Sequence, residues 1–168
     1  HMTFGGCGRR LKKLKMRDMS GASDKGIHAF VTSCLSLVEL DLSDSINLSD
    51  VVLAMILRKC KSITKLIASG LPLLETHVIE TIRDYCHGLI DVNISRCSLV
   101  SDDLLYLLSK SKTILKINIS GCPLLWDSSV ARVPNWWLTH LIAKNIPRLK
   151  DTGVISLSGS HLELQHLD

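Results

Sequence analysis

The sequence predicts an α/β solenoid in which strand, turn and helix recur, with a parallel sheet on the concave side and helices on the convex side. Apolar triplets spaced i, i+3, i+5 start at Leu11, Leu37, Ile63, Leu89, Ile114 and Leu138, which lie 26, 26, 26, 25 and 24 residues apart. Eight residues beyond the last member of each triplet stand Asp24, Asp50, Thr76, Asp102, Asp127 and Asp151, an acid in all but one copy. Fourteen residues beyond it stand Phe30, Ile56, Ile82, Leu108, Val133 and Leu157, an apolar position of the helix that follows. Three registers in phase at one period are the signature of a stacked repeat, whose single units cannot bury an apolar face alone.

The segment from Cys86 to Leu108 is the clearest copy. Leu89, Val92 and Ile94 suit a short strand buried on one side, and Leu104, Leu105, Leu107 and Leu108 fall at helical spacing. Written as a pattern the unit is C-x2-L-x2-L-x-L-x2-C-x4-D. Cys34, Cys60 and Cys86 fill its first cysteine, and Cys97 and Cys122 its second. This pattern resembles the cysteine-containing subclass of leucine-rich repeats, found in substrate receptors of F-box ubiquitin ligases and in the antagonist-of-mitotic-exit-network family. The resemblance runs from Cys7 to Asp168 and implies a protein-recognition module, with an adaptor or substrate-receptor role in a larger protein.

Composition fits a repeat core. Of 168 residues, 46% are hydrophobic but only 4% aromatic, so Leu, Ile and Val must fill the interior. His1 and Met2 read as a cloning remnant, and residues 3–168 as one domain of about six repeats plus an incomplete last one. A net charge of +4, from 20 basic and 16 acidic residues mixed along the chain, does not demand a polyanionic partner. The sequence has no apolar run near membrane-spanning length and no secretory signal. The six cysteines repeat with the unit and do not form close pairs, so they are expected to be reduced, buried and able to donate S–H to backbone carbonyls. That places the chain in a reducing compartment, cytoplasmic or nuclear. A zinc site from Cys86, His87 and Cys97 is the alternative, weakened by the lack of a second close ligand pair.

Taken in order, residues 3–8 form a glycine-rich lead-in. The first strand carries Leu11, Leu14 and Met16, and its outward Lys13, Lys15 and Arg17 make a basic patch. A helix from Asp24 to Ser33 follows, capped by Ser23 or Asp24, with Lys25 and His28 in solvent. The second unit, Cys34 to Lys59, presents Glu39, Asp41 and Ser43, and Ser49-Asp50 caps its helix. The third, Cys60 to Tyr85, presents Lys65, Ile67 and Ser69. Leu71-Pro72-Leu73 replaces its second cysteine, and Thr76 takes over the capping role. The fourth presents Asp91, Asn93 and Ser95, and the fifth Lys116, Asn118 and Ser120. The fifth helix is expected to be cut short at Pro134. Trp136 and Trp137 follow, one expected to pack under the shortened helix and the other to protrude as a partner anchor. The sixth unit presents His140, Ile142 and Lys144 ahead of a short helix around residues 153–157. Leu164 and Leu167 then restart the strand pattern.

Nothing in the sequence specifies catalysis: the histidines are scattered, and no nucleophile elbow, phosphate loop, dinucleotide fingerprint or cofactor motif occurs. The candidate binding residues are the outward strand rows, Lys13, Lys15, Arg17, Glu39, Asp41, Lys65, Ile67, Asp91, Asn93, Lys116, Asn118 and His140, together with Trp136 and Trp137. Their expected ligand is a protein of complementary charge docked across the concave face. The stretch before the first strand is too short for a helical module, so this segment is expected to carry no F-box of its own. With no polar capping unit at the far end, the chain reads as a fragment or as one that covers its end by self-association. A nucleic-acid binder using Arg9, Arg10, Lys12, Lys13, Lys15 and Arg17 is a weaker reading, because the neighbouring row is acidic.

Overall fold

The computed structural model of the protein describes residues 10–131, 137–160 and 164–168. Seven parallel strands pair in sequential order: β1 (Lys13–Lys15), β2 (Glu39–Asp41), β3 (Lys65–Ile67), β4 (Asp91–Asn93), β5 (Lys116–Asn118), β6 (His140–Ile142) and β7 (His166–Leu167). Between them lie α1 (Asp24–Val31), α2 (Asp50–Lys59), α3 (Thr76–Tyr85), α4 (Asp102–Ser109), α5 (Asp127–Ala131) and α6 (Asp151–Ser160), packed in chain order on one side of the sheet. The sheet is open and the architecture is the expected solenoid. Helices need roughly twice the lateral spacing of strands, so the chain bends with the sheet on the concave side.

Every strand keeps one register. Leu14, Leu40, Leu66, Val92, Ile117, Leu141 and Leu167 stand opposite one another as the inward row. From Leu40 to Leu141 that row is buried, and it joins Leu37, Leu42, Leu53, Ile56, Leu57, Ile79, Ile82, Leu105 and Leu108 in one continuous core. From the second unit onward the second-cysteine position is buried whatever occupies it: Ser45, Leu71, Cys97, Cys122 and Ile146 all lie inside, while Met19 of the first unit is partly buried. The thiols behave as small donors. Cys97 Sγ donates to the Ala68 carbonyl at 3.2 Å, Cys122 to Ile94 at 3.3 Å, and Cys60 to Val31 at 3.6 Å. Burial pushes Cys97 up to about 12 and Cys60 up to about 11, so these sulfurs stay protonated. The zinc alternative is not assembled: among the described residues no group of three His, Cys, Asp or Glu side chains is placed to hold a metal ion, and Cys97 Sγ donates into the core instead.

The recurrent aspartate does something the sequence pattern does not reveal. Serine is the N-cap: Ser23 Oγ accepts from Gly26 N–H and Ser49 Oγ from Val52 N–H. The aspartate that follows opens the helix and turns its carboxylate to the helix start of the next repeat. Asp24 accepts from the Ser49 amide and hydroxyl, and Asp102 from the Trp126 amide and the Ser128 and Ser129 hydroxyls. Asp127 accepts from the Lys150 amide at 2.6 Å and from the Thr152 hydroxyl. Backbone donation from Lys150 is the main reason the Asp127 carboxyl lies below its ordinary range. Asp50 accepts from the amides of Glu75 at 2.7 Å, His77 at 2.8 Å and Val78 at 3.3 Å. The expectation for Thr76 is therefore corrected. Glu75 is the N-cap of α3 and makes no side-chain cap bond, because Asp50 of the preceding unit occupies those amides. Ser101, the N-cap of α4, also lacks a side-chain cap bond, and it follows the one unit without an acid.

A left-handed residue follows each of the first six strands: Asp18, Asp44, Gly70, Arg96, Gly121 and Asn145, with φ between 52° and 68°. Two further expectations change. His28 is only half exposed, with its Nε2 buried and without a hydrogen-bond partner. The last helix is longer than expected, ten residues from Asp151 to Ser160. In the fifth unit α5 is assigned to Asp127–Ala131, and Pro134 and Trp136 lie outside the described residues.

Candidate functional site

Register builds the outward face of the sheet into rows. The first row is Lys13, Glu39, Lys65, Asp91, Lys116, His140 and His166; the second is Lys15, Asp41, Ile67, Asn93, Asn118 and Ile142. The residues of these two rows share the side of the sheet expected for them, whereas Ser43, Ser69 and Ser95, expected to be presented outward beyond the strands, are buried. Charge alternates along the first row, and neighbours pair: Lys13 with Glu39 at 2.8 Å and Lys65 with Asp91 at 2.7 Å. Each pairing moves a pKa toward the charged form: the Lys13 ammonium lowers Glu39, and the Asp91 carboxylate raises Lys65.

Asp41 departs from the expectation of an accessible contact. It is 2% exposed, and Arg17 Nε at 2.6 Å, Ser43 Oγ at 2.7 Å and Ser43 N at 3.1 Å all donate to it. Desolvation pushes its pKa up, but donation from Ser43 and Arg17 outweighs this and holds it below the ordinary value. A buried carboxylate so supplied positions Arg17 and the turn after β2 and leaves nothing for a ligand. With Lys13 and Arg17 both neutralised by acids, the basic cluster that would favour nucleic acid loses two of its members.

The other end of the sheet is different. A depression of ≈ 210 Å³ is lined by Lys65, Ile67, Asp91, Asn93, Lys116, Asn118, His140 and Ile142, with Ile117 beneath. Asn93 Oδ1 accepts from Ser95 N and Asn118 Oδ1 from Ser120 N, both at 3.0 Å. These bonds engage both oxygens, so each NH2 is the group left to donate at the depression that the two residues line. Lys116 is exposed and forms no ion pair among the described residues. His140 stacks on His166 with ring centroids 4.5 Å apart, and Thr139 Oγ1 lies 2.9 Å from its Nδ1. Desolvation, then Lys116 and His166, lower the His140 pKa, while Asp91 acts against them.

Of the two tryptophans singled out from the sequence, Trp137 is 57% exposed and Trp136 lies outside the described residues. Trp126 carried no sequence signal as a contact, yet it is 48% exposed with the Arg148 guanidinium 4.2 Å from its ring. It lies beside Leu124, and Leu73, Leu99 and Leu124 hold one equivalent exposed position in three successive turns. The signal that could have located this rim is an apolar residue recurring six places after the strand.

No protein-family model matches the sequence. Among solved structures the chain is similar to a tropomodulin C-terminal domain from Caenorhabditis elegans, with 14% identity, a TM-score of 0.56, and coverage of 74% of this chain and 81% of that one. It is also similar to a chain of the yeast Rad7–Elc1 complex, with 14% identity, a TM-score of 0.64, and coverage of 86% of this chain and 38% of that one. A Listeria monocytogenes internalin C2 gives 16% identity, a TM-score of 0.53, and coverage of 94% and 74%. At such identity the likeness defines the fold, an α/β leucine-rich-repeat solenoid. Among the described residues no helix is long and apolar enough to cross a membrane.

Proposed function

We propose that the chain is a protein-interaction module that receives its partner on the concave face of the sheet, within a larger substrate-receptor or adaptor assembly. One observation carries this reading: an uncovered sheet face on which cations, amide donors and two isoleucines stand in register over β3 to β6. A solvated sheet face with aligned side chains is rigid, so a partner meets preset positions without an ordering cost on this side. The adaptor role draws on the resemblance of the cysteine-containing repeat to ubiquitin-ligase receptors. The similar fold inside the Rad7–Elc1 complex is compatible with it.

The test is partner capture by the wild-type chain, by a Lys65→Glu/Lys116→Glu variant on the concave face, and by a Lys25→Glu variant on the helix side. The concave variant is expected to lose the specific partner and the helix-side variant to keep it. The reverse pattern, with both variants folded, removes the concave face from consideration. A second reading, association through the last strand, rests on Leu167, which is 50% exposed on β7. Concentration-dependent dimerisation abolished by Leu167→Lys would support it, and a monomer at all concentrations would exclude it.

A further inference from the structure

Resting on the concave-face reading, we infer that the depression over β3 to β6 takes an extended acidic peptide segment, a carboxylate flanked two residues away on each side by aliphatic side chains. The centre of the depression is a donor site. Asn93 and Asn118 line it, and with their oxygens accepting from Ser95 and Ser120 the NH2 groups are the donors left for a ligand. Lys116 adds a cation without a carboxylate partner among the described residues, and His140 adds a ring that gains charge as pH falls. The single carboxylate in the lining, Asp91, is already paired with Lys65 at 2.7 Å. Nearby hydroxyls are occupied as well, since Ser69 and Ser95 share a 2.7 Å hydrogen bond and Ser120 Oγ accepts from Lys144 N. The unmatched chemistry is therefore donor and cation, and it calls for an acceptor anion.

The flanks fix the rest of the occupant. Ile67 and Ile142 bracket the two asparagines in one row, three strand spacings apart, or roughly 14 Å at about 4.8 Å per spacing. An extended peptide advances about 3.4 Å per residue, so residues i and i+4 also stand roughly 14 Å apart and point to the same side as i+2. A segment lying across the strands thus places i and i+4 on the two isoleucines and i+2 over the amides and Lys116.

The variant that isolates this site is Asn118→Asp. Asp41 occupies the equivalent position in β2 and accepts from Ser43 N as Asn118 does from Ser120 N, so the change keeps the backbone bond while replacing the donor with an anion. The experiment is selection of random linear peptides on the immobilised chain, followed by fluorescence anisotropy with the enriched peptides. The expected result is an acid with Leu, Ile or Val two residues away on each side. Changing that acid to its amide, or introducing Asn118→Asp, is expected to weaken binding about tenfold or more, the equivalent of one charge-assisted hydrogen bond. Enrichment of basic or purely apolar peptides, indifference to Asn118→Asp, or no enrichment at all overturns the inference. A different motif whose binding is lost in Lys65→Glu/Lys116→Glu would overturn this occupant while leaving the concave-face reading intact.

Discussion

Asp50 is the most informative residue to remove. Its carboxylate is 8% exposed and accepts three amides at the start of α3, a helix whose own N-cap, Glu75, makes no side-chain bond. Asp50→Ala leaves those amides without a protein acceptor; water can reach Glu75 and His77, which are exposed, but the Val78 amide is buried. Loss of a cap costs roughly 1 kcal/mol and a stranded buried donor roughly 1–3 kcal/mol, so the expected loss is about 3 kcal/mol. Asp24→Ala is the control, because α2 keeps its own Ser49 cap; its expected loss is about 1 kcal/mol. Urea unfolding gives the free energies, and amide exchange at Val78 tells whether the loss is local to α3. The complementary change is Thr76→Asp, which restores the missing acid opposite Ser101 and is expected to stabilise the chain by about 1 kcal/mol. If Asp50→Ala costs no more than Asp24→Ala, the idea that each acid caps its neighbour's helix is refuted.

Gly70→Ala should cost at least about 1–2 kcal/mol for the left-handed backbone alone. A Cβ there would also run into the Asp44 carboxylate, at the site where Arg96 crosses to Asp44, so urea unfolding of Gly121→Ala, with its nearest contact at 3.3 Å, should show the smaller loss. Thr81→Val in α3 should stabilise by about 1 kcal/mol in thermal unfolding, because Thr81 is fully buried and its hydroxyl has no partner. Asp41 titrates below its usual 3.8 in the folded chain, so its contribution is complete above that value and is lost as pH falls through the depressed pKa. The pH dependence of the unfolding midpoint below 4 should therefore flatten in Asp41→Asn. Thiol labelling at pH 8 should be slow at Cys97 and Cys122, both fully buried, and faster at the half-exposed Cys86; equal rates would contradict the core placement of the sulfurs.

How far the sequence reading reached follows from which interactions are periodic. The strand triplets, the buried cysteines and the outward row from Lys13 to His140 all repeat with the unit, and a side chain's face follows from alternation along a strand. Those positions were legible because one unit's environment is copied into the next. Asp41 was not: its alternation is that of an outward residue, and only the approach of Arg17 from the preceding turn and Ser43 from its own loop buries it. Trp126 was not legible either, because the other units carry Ser23, Ser49, Glu75, Ser101 and Lys150 at its position, so no period marks it.

By itself the chain of residues determined the solenoid, the order of its strands and the burial of Cys34, Cys60, Cys97 and Cys122, because spacing and hydrophobicity act within one unit and between identical neighbours. Only the tertiary structure decided where each hydrogen-bonding group turns. The aspartates reach about 25 residues along the chain to the next helix, and the Asn93 and Asn118 oxygens bend to their own turns and leave the nitrogens to donate elsewhere. A polar side chain has several partners within reach of its rotamers, and the nearest unsatisfied amide in three dimensions selects among them.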